Sequence, residues 1–575
     1  MADAAISATV KVVLGTVISI AADRVGMVLG VKAELKRLSK TAATIQGFLA
    51  DADGKMHSPE VRDWLKELED EVFKADNVLD ELHYDNLRRE VKYRNQLTKK
   101  KVCFFFSFFN AIGFSSSLAS RIRDINTNLK RINQQANDLG LVIKYQIEAA
   151  LPADAAGATA SRQTDSIVVP NVVGRAGDES KIVEMLLTSE KVLSVIPITG
   201  PGGLGKTTLA KSVYNNPKID GHFGQKIWVC VAKEHIKIIE LFKLILVQLT
   251  QDEVKVDDRE VIVKKIGEKL KGQRYFLVLD DVWDHDQGLW DDYFNTLMGL
   301  NETKGSWCLL TTRRVPVADV VSTHLKMNSG PYFLGKLSCD ECWSIIKGKV
   351  MSAGEEVPEE LEALKKQILG RCDGLPLAAK LIGSLLLNSG KEEWQSIVEE
   401  GLIVEESLLN EYQSQINQIL KVSFDNLSSP SVKKCFAYCS IFPQDTELGE
   451  DELIQHWIAE GFVLKNNRVT EETGGEYLRI LLQNSLLEKV EDEVSTYYKM
   501  HDLVHDFAKS ILNPESSNQD RYLALDSSEG LEENTIRTIP ASIRTLFLHL
   551  EGGISTDMLL RFKCLHVLKL SGYDV

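Results

Sequence analysis

Nine cysteines in 575 residues are too few, and too unevenly spaced, for a disulfide scaffold. Cys339 and Cys342 form one C-x-x-C, no second one follows, and Cys435 and Cys439 stand four apart. The pattern offers no four-ligand zinc set, and a reducing compartment is the simplest reading. Positive charge is also short: 67 Lys and Arg against 82 Asp and Glu leave a formal net charge of -15. A whole-chain acidic field argues against non-specific nucleic-acid binding as the main task. Long apolar runs are missing as well. Met1 to Leu29 begins with Asp3 rather than a basic n-region, and Lys11, Asp23 and Arg24 interrupt it. No secretory signal or simple membrane span is therefore expected there, and an amphipathic or partly apolar surface helix stays open as a reading. The other apolar patch, Val102 to Phe109, is about a third of a span and reads as a packed or loosely anchored hairpin segment.

What is present is apolar material for several cores: 44% of residues are hydrophobic and 26% charged, in a chain long enough for about four domains. Val31, Leu35, Leu38, Ala42, Ile45 and Leu49 recur at steps of four and three, one face of a helix. A second helix is expected from Glu60 to Glu90, with Val61, Trp64, Leu65, Leu68, Val72 and Ala75 facing inward. Ser58 and Pro59 stand at its start. A third runs from Leu118 to Ile143 through Ile122, Ile125, Leu129, Ile132 and Ala136. Such stripes need partners, so a helical bundle follows. The basic stretch Arg88 to Lys101 carries one aromatic, Tyr93, too little for a stacking platform, and reads as a solvated loop or helix end rather than a nucleic-acid site. An Ala-, Gly- and Ser-rich linker, Pro152 to Thr164, leads into an α/β region. Its strand candidates are Ser194–Thr199, Lys226–Val231, Tyr275–Leu279 and Cys308–Thr312, with helical patterns between most of them. Pro197 counts against a clean central strand. The alternation still predicts a mostly parallel sheet covered by helices. Near the end, Ile543, Leu546 and Leu548 are echoed 22 residues later by Leu565, Leu568 and Leu570. That spacing lies in the leucine-rich-repeat range and predicts two weak repeats, the start of a solenoid cut short.

The strongest chemical signal is Gly200 to Thr208, GPGGLGKTT, which fits G-x-x-x-x-G-K-[ST] with Gly200, Gly205, Lys206 and Thr207 in the fixed positions. Glycines, Gly202 and Gly203 included, let the backbone curl round a phosphate, and the new helix turns its free N–H groups toward it. Lys206 can bridge β and γ phosphates, and Thr207 can ligate Mg²⁺ through its hydroxyl. Phe276 to Leu279 is an apolar run ended by Asp280 and Asp281. Asp280 is the natural direct or second-sphere Mg²⁺ partner, and Asp281 could position the attacking water. In Leu309 to Arg313, a strand ends on an arginine able to sense a γ-phosphate, although Arg314 stands beside it.

In this order the motifs resemble those of plant intracellular immune receptors of the coiled-coil, nucleotide-binding (NB-ARC), leucine-rich-repeat class. Besides the phosphate loop, the resemblance rests on Leu277 to Trp283 (LVLDDVW), Gly305 to Arg313 (GSWCLLTTR) and Gly374 to Ala378 (GLPLA). It rests further on Lys433 to Pro443 (KKCFAYCSIFP), Leu453 to Phe462 (LIQHWIAEGF) and Met500-His501-Asp502. The fold it implies is multidomain α and α/β. The boundaries are a four-helix-type bundle over 1–147, a linker over 148–165, a P-loop NTPase domain with a parallel sheet over 166–330, a helical domain over 331–402, a winged-helix domain over 403–515 and a truncated repeat solenoid over 516–575.

The resemblance also implies roles. Arg313 is the sensor arginine, Pro376 packs by the adenine, and His501 contacts the ADP phosphates within the switch triplet of Met500, His501 and Asp502. Pro376 has no N–H, so its contact must be packing. Asp502 would orient backbone or a neighbouring cation, because like charges repel. Asp76 and Asp80 correspond to an acidic motif used in contact with the repeat domain. Asn77 stands where the family has a second acid, so a weakened contact is expected. The implied cofactors are ADP or ATP with Mg²⁺. The implied partners are a pathogen effector or guarded host protein and a self-oligomer, without specific nucleic acid. The implied location is cytoplasmic, with plasma-membrane association on activation should the first helix insert and Asp3 line a pore. Hydrolysis is at most a slow reset using Lys206, Asp280 and Asp281. The rival readings are a general P-loop ATPase with sustained turnover, and a non-catalytic or decoy scaffold whose nucleotide only stabilises the fold.

Overall fold

The computed structural model describes residues 7, 10–15, 17–18, 32–55, 58–94, 103–143, 172–188, 191–231, 236–250, 256, 258–324, 330–352, 355–402, 411–427, 429–463, 469–491, 496–512, 521–525, 533–549 and 559–571. The chain divides into two compact units. One comprises Met1–Ala160, Phe424–Leu481 and Val504–Val575; the other comprises Ser161–Ser423 and Leu482–Leu503. The Val31 position and the Pro152–Thr164 linker lie outside the described residues, as do the first six residues with Asp3.

The second unit is built on a five-stranded parallel sheet of order β2-β3-β4-β1-β5. Its strands are β1 (Leu193–Thr199), β2 (Gln225–Cys230), β3 (Tyr275–Asp280), β4 (Ser306–Thr312) and β5 (Tyr332–Phe333). Every residue of β3 and β4 is buried. That is why FLVL and CLL read as continuous apolar runs: a parallel strand has both faces covered. Pro197 does lie within a strand, paired in register with Leu310 of β4. β5 pairs only with Ile198 and Thr199, so at Pro197 the β5 side of β1 carries no ladder for a missing N–H to break. β3, β4 and β1 are neighbours, so their carboxyl ends at Asp280, Thr312 and Thr199 converge on one crevice, where open α/β sheets bind ligands. The same unit holds the helices Cys339–Val350, Glu359–Cys372 and Pro376–Asn388 and the antiparallel hairpin β6 (Glu488–Glu491) with β7 (Thr496–Lys499).

In the first unit the helices Lys32–Asp53, Pro59–Arg94 and Cys103–Asp138 share one core with the helical residues 10–15 and 17–18. The expected stripes form it: Leu35, Leu38, Ala42, Ile45 and Leu49 meet Trp64, Leu68 and Val72, and both meet Ile122, Leu129 and Ile132. The Trp64 indole N–H donates to the Ile132 carbonyl at 2.8 Å, which fixes the height of the second helix against the third. The hairpin expected for Val102–Phe109 is corrected: from Cys103 onward the backbone is helical and continuous with the third helix. Long apolar side chains favour helix as readily as turn, and no Gly or Pro interrupts the run.

Further along the same unit, Phe424, Phe436 and Phe507 cluster with ring centroids 5.9 to 6.2 Å apart. A second parallel sheet follows, of order β10-β9-β8, with β8 (Tyr522–Leu525), β9 (Thr545–His549) and β10 (Val567–Ser571). Its register sets Leu546 beside Leu568 and Leu548 beside Leu570, the 22-residue echo seen in the sequence. The expected two repeats are corrected to three rungs, because Tyr522 pairs with Thr545. The rung at β8 keeps Leu523 and Leu525 at the positions of Leu546 and Leu548, but it stands 23 rather than 22 residues before β9 and has Asp520 where the others carry Ile543 and Leu565, so the sequence echo missed it. Among the described residues no helix is long and apolar enough to cross a membrane.

Candidate functional site

β1 ends at Thr199, and the chain turns through 200–205 into the helix Lys206–Tyr214. Gly203 and Gly205 hold φ of 73° and 89°, left-handed conformations in which a Cβ is strained. Gly202 is needed for closeness: a Cβ there would lie 3.0 Å from Leu503 Cδ1. Lys206 is buried, and its Nζ donates to the carbonyls of Gly200 and Pro201, both at 2.9 Å. Burial, reinforced by Arg313, pushes its amine down to about 8 against the pull of Asp281, Asp280 and Asp502. Thr207 is exposed on the first turn, followed by Thr208, and its hydroxyl donates to Asp280 Oδ1 at 3.0 Å. The Thr311 hydroxyl donates to the same oxygen.

Asp281 leaves the end of β3 at φ 54°. Its N–H donates to Thr311 Oγ1 at 2.9 Å, and its Oδ2 accepts from the Trp283 indole N–H at 2.8 Å. Burial and then Asp502 raise its carboxyl, while Arg313, with Nε 3.6 Å from Oδ1, opposes them. Arg313 also forms an ion pair with Asp502. Its guanidinium and that of Arg314 lie 5.0 and 5.2 Å from the centre of the Trp283 ring. Next to Asp502, His501 Nδ1 accepts the Leu503 N–H at 3.2 Å, so the neutral ring carries its proton on Nε2. Burial lowers the His501 pKa despite Asp502 and Glu488. Met500 is buried.

Pro376 occupies the first position of the helix Pro376–Asn388, where a missing N–H costs nothing. Its ring carbon Cγ lies 3.9 Å from where a Gly205 Cβ would stand, and the Leu377 N–H donates to the Gly203 carbonyl at 3.3 Å. The same helix holds the 482–503 segment through the Lys380–Glu488 ion pair and the Ser384–Ser485 hydroxyl contact of 2.7 Å. Lys380 is the chief cause that holds the Glu488 carboxyl at about 2. Thus Gly202, Gly203, Gly205, Lys206, Thr207, Asp280, Asp281, Arg313, Pro376 and Asp502 come to one place, with His501 adjacent.

One residue of this site escaped the sequence reading. Arg175 is buried, and its Nη2 donates to the Leu204 carbonyl at 2.8 Å while Nη1 donates to the Gly335 carbonyl at 2.9 Å. An arginine before a helix reads as surface charge; only the fold shows that it grips the loop.

A second polar cluster is buried in the first unit. Asp76 accepts from Arg521 Nη2 at 2.6 Å and lies 3.2 Å from Arg544 Nη2. Asp80 accepts from Arg544 Nη2 at 2.6 Å and lies 3.2 Å from His566 Nε2. Arg521, Arg544 and His566 each precede their strand by one residue, so the parallel register stacks them in one column against the helix Pro59–Arg94. Burial would raise the Asp80 carboxyl, but Arg544 and His566 together hold it below the ordinary range. Asn77 joins this region through its backbone, whose carbonyl lies 3.7 Å from the Cys564 thiol.

A parallel sheet whose first strand runs through a glycine loop into a helix opened by lysine and threonine defines a P-loop nucleotide-binding protein. Three family models match the chain: the NB-ARC domain over 176–356, the Disease resistance protein Winged helix domain over 441–508 and the Rx N-terminal domain over 9–110. The chain belongs to the plant disease resistance proteins that combine these three domains. It is 32% identical to Disease resistance protein RGA2 of Solanum bulbocastanum, over 89% of this chain and 50% of that one. It is 31% identical to Disease resistance RPP13-like protein 4 of Arabidopsis thaliana, over 69% of this chain and 46% of that one. The chain spans about half the length of the curated relatives that it matches over nearly its full extent. Among solved structures it is similar to the Aeropyrum pernix ORC2 protein in its ADP form, at 15% identity and a TM-score of 0.32, covering 61% of this chain and 97% of that one; a likeness so slight carries no argument.

Proposed function

We propose that the chain is the ADP/ATP-controlled switch of a plant intracellular immune receptor. The observation that carries this reading is the pairing of Arg313, at the end of β4, with Asp502 beside the phosphate loop. In this reading ADP lies on the loop, with its phosphates toward Lys206 and the N–H groups of Gly203, Gly205, Thr207 and Thr208. Pro376 packs by the adenine, and His501 donates from Nε2 to phosphate. Asp502 occupies Arg313 and so holds the sensor away from the γ-phosphate position. ATP brings a competing anion for Arg313 and favours an open form that assembles with further copies. That is a population shift set by differential affinity, not by binding as such.

Thr207 and Asp280 fit Mg²⁺: two hard oxygens meet at 3.0 Å, and this ion needs only one or two from protein when phosphates supply others. Bound there, it would neutralise charge on the phosphates. Hydrolysis in this reading is a slow reset, with Lys206 stabilising transferred charge and Asp281 orienting water. The 516–575 region is read as the start of the leucine-rich repeats, and Asp76 and Asp80 as its contact with the helical domain. The partners are a pathogen effector or guarded host protein and further copies of the chain, in the cytoplasm or, once active, at the plasma membrane.

The test is to denature the purified chain and quantify released nucleotide by chromatography, with Lys206→Arg as control. Near-stoichiometric ADP from the wild type and little from the variant are expected. Wild-type protein that carries no nucleotide and binds neither ADP nor ATP would sink the reading.

A further inference from the structure

The C-x-x-C of Cys339 and Cys342 takes no part in the nucleotide site. It opens the helix Cys339–Val350, capped by Ser338. Cys339 is exposed, whereas Cys342 is 1% exposed and Cys372, at the end of the helix Glu359–Cys372, is fully buried. An open cavity of about 450 Å³ borders Cys339 and is lined also by Lys365, Lys366, Glu362 and Leu369. That volume suits a small ligand; Glu362 pairs with Lys365 at 3.2 Å, which leaves Lys366 as the net positive charge of the lining and favours an anionic ligand.

We propose that Cys339 and Cys342 form a redox-active dithiol, oxidised by a small anionic disulfide such as glutathione disulfide, and that its closure loosens the hold on the phosphate loop. The accessible Cys339 sulfur attacks one sulfur of the oxidant as thiolate; the oxidant's S–S bond breaks and one glutathione leaves as thiol. The Cys342 sulfur then attacks Cys339, expels the second glutathione and closes the protein disulfide. Two protein thiols are oxidised, one disulfide is reduced to two thiols, and both protons end on glutathione. Burial pushes the Cys342 thiol up to about 11, so it does not compete with Cys339 for the oxidant; its own attack relies on its place three residues along the same helix, which makes the step intramolecular.

Closure has a mechanical consequence. Residues three apart on a helix have Cβ atoms about 5–6 Å apart, and a disulfide needs about 3.5–4.5 Å, so the first turn must tighten by about 1–2 Å. That turn is tied to the phosphate loop along two routes. Glu341, between the cysteines, accepts the Ser338 N–H at 2.7 Å and packs so closely on Gly174 that a Cβ there would lie 2.6 Å from Glu341 Cδ. Arg175 follows Gly174 and grips the Leu204 carbonyl. On the other route the Leu337 N–H donates to the Gly374 carbonyl at 3.0 Å, two residues before Pro376. The coupling to the loop rests on the nucleotide reading above; the dithiol itself does not.

The test equilibrates the full chain in glutathione buffers of stepped redox poise, blocks free thiols by alkylation and maps the peptides. Expected is a peptide in which Cys339 and Cys342 both resist alkylation until reduced, while the exposed Cys230 serves as internal reference. Cys342→Ser should stop at a glutathione adduct on Cys339. Equal adducts on Cys339 and Cys230 without a closed pair, or a bridge to Cys372, would overturn the proposal. Release of a fluorescent ADP analogue should be about fivefold faster from oxidised protein, the factor that one weakened hydrogen bond is worth, and unaffected by oxidation in Cys339→Ser. A closed pair with unchanged release would overturn the coupling. A chain that holds no nucleotide in either redox state would instead defeat the switch reading and leave the dithiol to the mapping.

Discussion

Arg313 and Asp502 are 189 residues apart in the chain, yet they form an ion pair with both side chains largely shielded, at 14% and 18% exposure. Asp281 competes for the same guanidinium from 3.6 Å. Removing Asp502 therefore leaves Arg313 one partner rather than none. Asp502→Val should release Arg313 toward a γ-phosphate and lose one charged hydrogen bond, about 1.5–3 kcal/mol. The expected outcome is ADP release at least about tenfold faster, with the preference shifted toward ATP. Stopped-flow displacement of a fluorescent nucleotide measures it, and wild-type rates would remove the pair from the switch.

Lys206 makes nucleotide affinity depend on pH. Its amine lies at about 8, lowered first by burial and then by Arg313. A phosphate beside it stabilises the ammonium and raises that value. Binding then takes up protons between the two values, so affinity is full below about 8 and falls as pH rises through it, by up to about tenfold per unit. Calorimetry in buffers of different ionisation enthalpy reads the proton uptake directly. Affinity that stayed flat from about pH 7 to about pH 9.5 would show that Lys206 does not meet phosphate.

How much of this was legible depended on the range of the interaction. The loop Gly200–Thr208, the run ending in Asp280 and the strand ending in Arg313 are local patterns, and a parallel sheet sends their carboxyl ends to the same side. Which partner Arg313 would take was not legible, because no local rule joins residue 313 to residue 502. Arg175 was missed for the same reason: the Leu204 carbonyl that it grips is 29 residues away. The bundle core was readable from helical period alone. The column of Arg521, Arg544 and His566 was not, since it exists only once three strands share a register, and the β8 rung breaks the 22-residue spacing and has Asp520 in place of Ile543.

Arg175 therefore makes a discriminating test of the loop. Its guanidinium is buried and bridges the Leu204 and Gly335 carbonyls. Arg175→Lys keeps the charge but has no planar fork to span both. Affinity for ADP should fall by about fivefold to thirtyfold, the worth of one to two hydrogen bonds, alongside a modest loss of thermal stability. Fluorescence titration measures the first and calorimetric unfolding the second. Stability lost without any change in affinity would make Arg175 a purely structural tie.

Arg544 sits between Asp76 and Asp80, and all three are nearly or fully buried. Arg544→Ala would leave two carboxylates without their shared cation and should destabilise the first unit by about 3–5 kcal/mol. The sign with pH separates charge from packing. In the wild type, Arg544 and His566 overcome burial and hold Asp80 below its ordinary value. Its contribution is thus full above the unfolded value of about 4 and is lost as pH falls through the lower folded value. Without Arg544, burial dominates and the carboxyl rises above its unfolded value. The variant should then be least stable near neutral pH and recover as pH falls through that raised value. Urea unfolding of both proteins at about pH 7 and about pH 5 measures the difference. A deficit of the same size at both would mean that Arg544 acts through its packed stem rather than through its charge.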